Sequence, residues 1–452
     1  MGCHNGQPYR DGDRTVTPSD LRAKRLRPEY TGNYSPAYME LQKYVRRPGF
    51  ESTMHMHVPA EFEADTSSLV QMLKKGHYNV QLDRDEWERL YAWIDFNVPY
   101  PANWRESHRP PQDEQVERRA KYKKLYAGID DRDEDSLPLP EITAYELPKP
   151  LPAARVEVAK LDRWPLSAEE AKTLQKSAGP AAMEIDLGSG VKMKFALVPA
   201  GRFLMGDAAG FADEQAVSAV AIDRPFYLGQ FEVTNRQYAQ FDPKHDNGYI
   251  EGRNKDRTNP GTPINGPDLP VVRISWNEAM AFCQWLSQKT GMTCTLPTES
   301  QWEWACRAGT DTSHSFGQYK PGINSVANIS DQGIAGWNYG RSEPGYSDGA
   351  GFTAIGGRYA PNAWGLFDMH GNVAEWCLSV YRPYPYRADD GRDDPRAPGM
   401  KVVRGGSWNS TMKYAASASR WRYQLYHPVY DVGFRVLVEA KAGPAVVAAG
   451  GQ

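Results

Sequence analysis

Apolar residues recur with a helical period at three places in the second half of the chain, each time behind a polar cap. After Ser275-Trp276-Asn277-Glu278, residues Ala279, Phe282, Cys283 and Leu286 fall at i, i+3, i+4 and i+7, and Gly291 follows. That spacing lays one apolar stripe along a helix, with Ser275 and Glu278 as a capping box and Gly291 as the stop. Thr298-Glu299-Ser300-Gln301 repeats the device ahead of Trp302, Ala305 and Cys306, and Thr234-Asn235-Arg236-Gln237 repeats it ahead of Tyr238 and Phe241. Lys192 to Met205 reads as paired strands around the turn Pro199-Ala200-Gly201, and Phe226 to Val233 reads as a further strand. Short helices among strands and long Gly/Asn/Asp loops predict an α+β domain in which loops carry much of the fold.

The first third is patterned differently. Ser67 to Lys75 reads as a short helix ended by Gly76, with His77 just beyond. Asp83 and Glu86 have capping-box spacing for a second helix burying Leu90, Tyr91, Trp93 and Ile94, which Asn97 and Pro99 stop. From His108 to Leu151 the pattern gives way to a charged run through Lys124, the acids Asp130 to Asp135, and Pro138, Pro140, Pro148 and Pro150. Proline blocks regular structure and like charges repel, so this reads as a linker or extended arm. Ser167 then caps a short helix, Ala168 to Gln175. The organisation expected is a helical module over 1–105, a Pro- and charge-rich linker over 106–180, a main domain over 181–440 and a disordered Ala/Gly-rich tail over 441–452.

Composition narrows the function classes. The 452 residues are 40% hydrophobic and 24% charged, ordinary globular usage with material for a sizeable core. A formal net charge of −3 leaves no nucleic-acid footprint, no apolar run is long enough to span a bilayer, and Met1 to Gly6 does not read as a signal peptide. Five cysteines (Cys3, Cys283, Cys294, Cys306 and Cys377) are too few and too scattered for a disulfide framework, and no CxxC pair offers a structural zinc site.

Two stretches carry candidate chemistry. Gly365 to Trp376 crowds Asp368, Asn372 and Glu375 among glycines. Such a loop can hold calcium through carboxylates and backbone carbonyls, or it is a polar turn entering a strand. At the N-terminus, Cys3-His4 would complete a c-type haem attachment if a cysteine stood upstream of Met1, with His4 as the proximal ligand. His77 is the candidate distal ligand, with Met54 to His57 as competitors; the alternative makes Cys3 a lone thiol, His77 a helix-end histidine and Met54 to His57 a strand. Gly76-His77, the acidic helix start, Trp93-Ile94-Asp95 and Asn97-Val98-Pro99-Tyr100 together resemble the end of cytochrome-c-like modules related to the hydrazine synthase alpha subunit.

Seven motifs then appear in order. They are Gly201-Arg202-Phe203-Leu204-Met205-Gly206, Glu232-Val233-Thr234-Asn235, Pro270 to Trp276, Leu296 to Glu303, Gly365 to Trp376, Arg404-Gly405-Gly406-Ser407-Trp408 and Gly433-Phe434-Arg435. This series, over about 190–439, closely resembles the formylglycine-generating enzyme, or sulfatase-modifying factor, family. The resemblance implies a compact variant of the C-type-lectin fold. It implies two calcium sites, one on Asn328, Ile329, Asp348 and Ala350 and one on Asp368, Gly371, Val373 and Glu375, with Ile329, Ala350, Gly371 and Val373 giving carbonyls.

On catalysis the chain departs from that family. Its enzymes oxidise a cysteine with copper held by two cysteines, three and eight residues after the Ser of the Gly-Gly-Ser-aromatic motif. Here Ser407 is retained but Ser410 and Ala415 stand at those positions. Soft thiolates suit Cu(I), and neither residue supplies one, so copper is not expected. Cys283 and Cys306 match positions that form disulfides in some relatives, but the partner positions are Val436 and Arg420, which implies buried free thiols; Cys377 reads as core. The iron branch of ergothioneine-type sulfoxide synthases uses an H-x-x-x-H-x-E motif, which is absent, and His370 and His427 are scattered. The cleft-lining segment would offer Arg404, Trp408, Asn409, Arg420, Arg422, Tyr423 and Asp431, with Tyr414, Trp421 and Tyr426 as stacking partners. Arginines there either bind an acidic group or tie loops together. The expectation is a calcium-stabilised module binding a peptide, a protein or a small acidic ligand, in an extracytoplasmic compartment. Alternatives are an oxidoreductase of the family with another cofactor, or part of a haem-c redox protein.

Overall fold

The structure is a computed structural model that describes residues 7–11, 14–16, 21, 27–29, 32–46, 60–77, 80–99, 113–130, 161–250, 261–319, 326–334, 342–343 and 345–440. Contacts divide the chain into two units, Met1–Arg47 with Leu82–Pro152, and Pro48–Gln81 with Ala153–Gln452. This division differs from the one drawn on composition. Residues 48–81 fall with the large unit although both flanking stretches fall with the small one, and the end of the expected linker is part of the large unit's core.

The small unit holds two short hairpins, Tyr9–Asp11 with Arg14–Val16 and Arg27–Glu29 with Gly32–Tyr34, and three α-helices among its described residues. Arg84–Asp95 carries the expected capping box between Asp83 and Glu86. Asp113–Tyr122 is helical where a linker was expected, with Arg119 and Lys121 in its last turn. Its Glu, Gln, Arg, Ala and Lys are good helix formers, and bases at a helix C-terminus suit the dipole, so charge density there reflects a solvated helix.

In the large unit, helices α1 (Ser68–Lys74), α2 (Ala168–Ala178), α3 (Asn235–Tyr238), α4 (Trp276–Thr290) and α5 (Glu299–Arg307) lie against two principal sheets. The α2 to α5 starts carry complete capping boxes, on Ser167, Thr234, Ser275 and Thr298. Helix α4 buries Trp276, Ala279, Phe282, Cys283 and Leu286, and ends at Gly291, whose φ is 67°. Helix α2 is no linker: Ala171 is fully buried, and Gln175 donates to the carbonyls of Leu197 (2.7 Å) and Trp364 (2.9 Å).

A five-stranded antiparallel sheet runs Cys294–Thr295, Leu437–Glu439, Phe226–Gly229, Val191–Val198, Ala182–Gly188. A four-stranded sheet runs Arg420–Tyr423, Lys401–Arg404, Ala374–Val380, Val432–Gly433, its last pair parallel. The expected hairpin over 192–205 does not form. Val191–Val198 stays in the five-stranded sheet, while Gly201–Met205 pairs with Ser218–Ile222. The corner between them is held by a tryptophan. Trp304 Nε1 donates to the Pro199 carbonyl at 2.8 Å, and a Cβ on Gly201 would stand 2.6 Å from the Trp304 ring. Five tryptophans (Trp302, Trp304, Trp364, Trp376 and Trp408) are fully buried, and so are Arg392, Arg404, Arg420 and Arg435. Loops are thus tied by internal guanidinium groups, which bond several carbonyls at once.

Candidate functional site

The strand Lys401–Arg404 ends in Gly405 and Gly406, with φ of 91° and 67°. A Cβ at Gly406 would lie 2.9 Å from Ala415 Cα, so only glycine lets this turn close onto the 412–415 segment. The turn presents Ser407, whose Oγ donates to Asp431 Oδ2 at 2.7 Å and accepts the Asn409 N–H at 3.2 Å. Asn409 Nδ2 donates to Tyr430 Oη at 2.6 Å, and Ser410 Oγ accepts the Ser407 N–H at 3.1 Å. Ser407, Asn409, Ser410, Tyr423 and Asp431 line a cavity of about 40 Å³, and Thr66 and Ser68 line it too. That space suits about one water, and Thr66 and Ser68 wall it on one side.

The expected pocket residues therefore separate. Asn409, Tyr423 and Asp431 line the cavity. Arg404 and Arg420 do not: Arg404 donates to the carbonyls of Ser417, Ala418 and Ser419 and pairs with Glu303, and Arg420 pairs with Glu299. Arg422 lies over the Tyr381 ring at 4.3 Å, and Trp408 is buried between Phe352 and Tyr430. Ser410 and Ala415 are both buried. Cys283, Cys294, Cys306 and Cys377 are buried free thiols.

Beneath the cleft, Cys306 Sγ lies 3.6 Å from His370 Nε2. That nitrogen accepts the Ser315 N–H, so Nδ1 donates to the Ala415 carbonyl at 2.7 Å and the ring is neutral. His314 packs on His370 with ring centroids 5.1 Å apart. Burial lowers the His314 pKa from 6.5 to about 4, so the folded state binds fewer protons than the unfolded one below neutrality. Its contribution is complete above pH 6.5 and lost as pH falls toward 4. Urea unfolding is expected to show roughly 2 kcal/mol less stability at pH 5 than at pH 7.5 from His314 alone. His314→Gln should flatten that slope, and an unchanged slope would refute the assignment.

The two loops expected to hold calcium are stitched together. Asn372 N–H donates to the Asn328 carbonyl at 2.7 Å, and a Cβ on Gly371 would fall 2.0 Å from that oxygen. In the first loop, Asp348 accepts the N–H groups of Ile329 (3.0 Å) and Ala350 (2.7 Å). Asp331 Oδ2 accepts the Asp348 N–H at 3.1 Å. Burial raises the Asp348 pKa to about 6. Asn328 donates through Nδ2 to Phe352 and Asn372, while its Oδ1 is buried without a hydrogen-bond partner.

In the second loop Asp368 accepts the Gly357 N–H at 2.7 Å, and Val373 is fully buried. Both Glu375 oxygens accept from Arg435, at 2.6 and 2.7 Å, and Trp302 Nε1 adds a third bond. A further acid completes the group. Glu232 is buried, its Oε1 accepts from Asn372, and its Oε2 has no partner. Burial, with Asp368 and Glu375 nearby, pushes the Glu232 carboxyl well above the usual carboxylate range. Arg435 bonds Glu375, and its charge also acts on Glu232 and Asp368. Tyr359 Oη, also buried and unpartnered, lies in the field of both Asp348 and Asp368. Among the described residues no three His, Cys, Asp or Glu side chains already converge as a ligand group. A cation here would rely on amide and backbone oxygens as well, which is calcium's habit.

Glu232 and Asp331 escape a sequence reading. Glu232 belongs to a motif whose evident role is capping α3, and it lies far from Asp368 along the chain. Of the haem candidates, Cys3 and His4 lie outside the described residues, as do Met54 to His57 and the 441–452 tail; His77 stands half-buried just past α1. Among the described residues no helix is long and apolar enough to cross a membrane.

Comparison with known proteins agrees with the seven motifs. The family model "Sulfatase-modifying factor enzyme 1-like domain" matches residues 190–440. The formylglycine-generating enzyme of Streptomyces coelicolor is 31% identical over 277 residues, covering 51% of this chain and 82% of that protein. The inactive C-alpha-formylglycine-generating enzyme 2 of Mus musculus is 28% identical over 259 residues, covering 49% and 76%. Among solved structures, PvdO from Pseudomonas aeruginosa aligns with a TM-score of 0.45 at 24% identity, covering 58% of this chain and all of that one. The family match spans more than half of the sequence, and the chain belongs to the sulfatase-modifying factor family that includes the formylglycine-generating enzymes.

Proposed function

We propose that this chain is a binding member of the family, without copper oxidase chemistry and with loops pinned by calcium. What supports this reading is the pair Ser410 and Ala415, both buried, at the positions where the family resemblance puts the two thiolates. Copper does not fit that donor set. The four described cysteines are buried free thiols, and Cys306, the one beside His370 and Ser417, is a single thiol with its pKa raised to about 12 by burial. The family includes a relative whose name declares it inactive, which is consistent with retention of the fold after loss of the chemistry.

Calcium fits better. The unpartnered Asn328 Oδ1 and Glu232 Oε2 are hard oxygen donors in the two loops, and a buried excess of carboxylate calls for a cation. Asn328, Ile329, Asp348 and Ala350 would hold one ion, and Asp368, Gly371, Val373 and Glu375, joined by Glu232, the other. A bound ion would supply charge compensation and loop order. A calcium-dependent domain suits an extracytoplasmic compartment. With Arg404 and Arg420 committed to internal pairs, the ligand is a peptide or protein surface rather than a small acid.

Metal analysis tests both halves. Purified protein is expected to contain calcium and to bind no Cu(I) in a colorimetric competition, whereas the double variant S410C/A415C binds about one Cu(I) per chain. Stoichiometric copper on the unmodified chain would sink the reading.

A further inference from the structure

Lys75 is a buried cation far from any surface ion-pair setting. Its ammonium donates to Glu214 Oε1 at 2.8 Å and to the Arg420 carbonyl at 2.7 Å, and lies 3.3 Å from Asp213 Oδ1. Aromatic rings complete the enclosure. The ammonium stands 4.9 Å from the Phe211 ring centre and 5.9 Å from that of Trp421. Tyr414 bridges those rings, stacked on Phe211 at 4.8 Å and tilted against Trp421 at 5.4 Å, and Lys413 lies over Phe211 at 4.3 Å. Two carboxylates, a carbonyl and π faces around one ammonium form an environment that selects a lysine-type cation.

The piece of chain that delivers Lys75 is set apart from the domain it fills. Residues 48–81 group with the large unit, yet both flanking stretches group with the small one. Residues 60–77 are anchored by discrete polar contacts. Glu61 pairs with Arg273 at 2.9 Å, Glu63 meets His427 at 2.6 Å, and Gln71 donates to the Arg422 carbonyl at 2.7 Å. Leu69 and Val70 are buried beside them. Thr66 and Ser68 stand over the Ser407–Asp431 turn without filling it, leaving the 40 Å³ cavity. Lifting this segment breaks no strand pairing of the large unit's sheets, none of which includes it.

We propose that the surface walled by Phe211, Asp213, Glu214, Tyr414 and Trp421 is a lysine-recognition site. Its resident occupant is residues 60–77 of this chain, a tethered segment that closes the family cleft and can be replaced by the same segment offered in trans. This stands on the Lys75 contacts alone and is independent of the calcium reading. Tethering gives the resident segment an effective concentration on the order of millimolar, so an untethered copy competes poorly until the anchor is weakened.

The test uses the full chain and a fluorescein-labelled synthetic peptide of residues 60–77. Lys75→Met in the full chain keeps the aliphatic stem but leaves Asp213 and Glu214 without their cation. Anisotropy is expected to show the peptide binding this variant at least ~10-fold more tightly than the unmodified chain, and the peptide bearing Lys75→Met binding at least ~10-fold more weakly. Hydrogen exchange of the Ser68–Lys74 amides should quicken by ~10-fold or more in the variant while Trp276–Thr290 stays unchanged. If Lys75→Met fails to fold, Gln71→Ala loosens the same segment without stranding the acids, and the same exchange comparison applies. Equal binding of the two peptides, or unchanged exchange across α1 in the variant that folds, overturns the proposal.

Discussion

Stripping calcium from the two proposed sites with EDTA is expected to lower the thermal midpoint of the protein by roughly 10–20 °C. A ligand present at a hundredfold excess over its dissociation constant stabilises by about 2.7 kcal/mol per site, and two sites are proposed here. A domain of this size shifts by roughly 2–4 °C per kcal/mol. The observation beneath the prediction is the crowding of Glu232, Asp368 and Glu375 around one arginine, with Glu232 Oε2 unpartnered. Without a cation, burial and the neighbouring Asp368 and Glu375 push the Glu232 carboxyl toward its neutral form. Glu232→Gln closely copies that neutral form. The variant should therefore match the unmodified protein in EDTA, yet gain markedly less from added calcium. Scanning calorimetry of both proteins, with EDTA and with millimolar calcium at one pH, checks this. Equal midpoints for the unmodified protein in the two buffers would remove calcium from the picture.

What could be read beforehand follows from the range of the interactions. Helix starts were legible because a capping box is complete within four residues; Ser167, Thr234, Ser275 and Thr298 all behave as their spacing requires. The Gly365–Trp376 loop was legible for the same reason. Strand partnership was not. Nothing near Gly201 says that Trp304 will hold the corner and send the next strand to Ser218–Ile222. Glu232 and Asp368 meet only in three dimensions, as do Lys75 and Glu214. The helix at Asp113–Tyr122 was hidden by composition, because a charged run reads alike whether it is a solvated helix or an extended arm. Arginines suffer the same ambiguity, and their roles depend on partners about a hundred residues away.

Those arginines set the second large effect. Arg420→Met is expected to destabilise the protein by roughly 3–5 kcal/mol, because it leaves buried Glu299 only Arg404, 3.7 Å away and already paired with Glu303, as a counter-charge. Glu299 and Glu303 lie one turn apart on α5, and neither is exposed to solvent. Like charges at that spacing repel in a helix. They are tolerated here because three buried arginines surround them, with Arg404 reaching both acids. Arg420 grips Glu299 through two bonds, 2.5 and 2.9 Å, while Glu303 meets Arg404 and Arg307. Arg420 also lies 4.0 Å over the Tyr384 ring. Two of the seven motifs are therefore halves of one clamp: the acids of Leu296–Glu303 receive the cleft strands through Arg404 and Arg420. This explains why arginines placed beside a cleft do not serve a ligand. Pairing Arg420→Met with Glu299→Gln removes the stranded charge and should recover more than half of the loss. Urea unfolding of the two single variants and the double variant measures the coupling. A loss below about 1 kcal/mol for Arg420→Met would show that Glu299 finds another partner and that the arginine is available to the cleft after all.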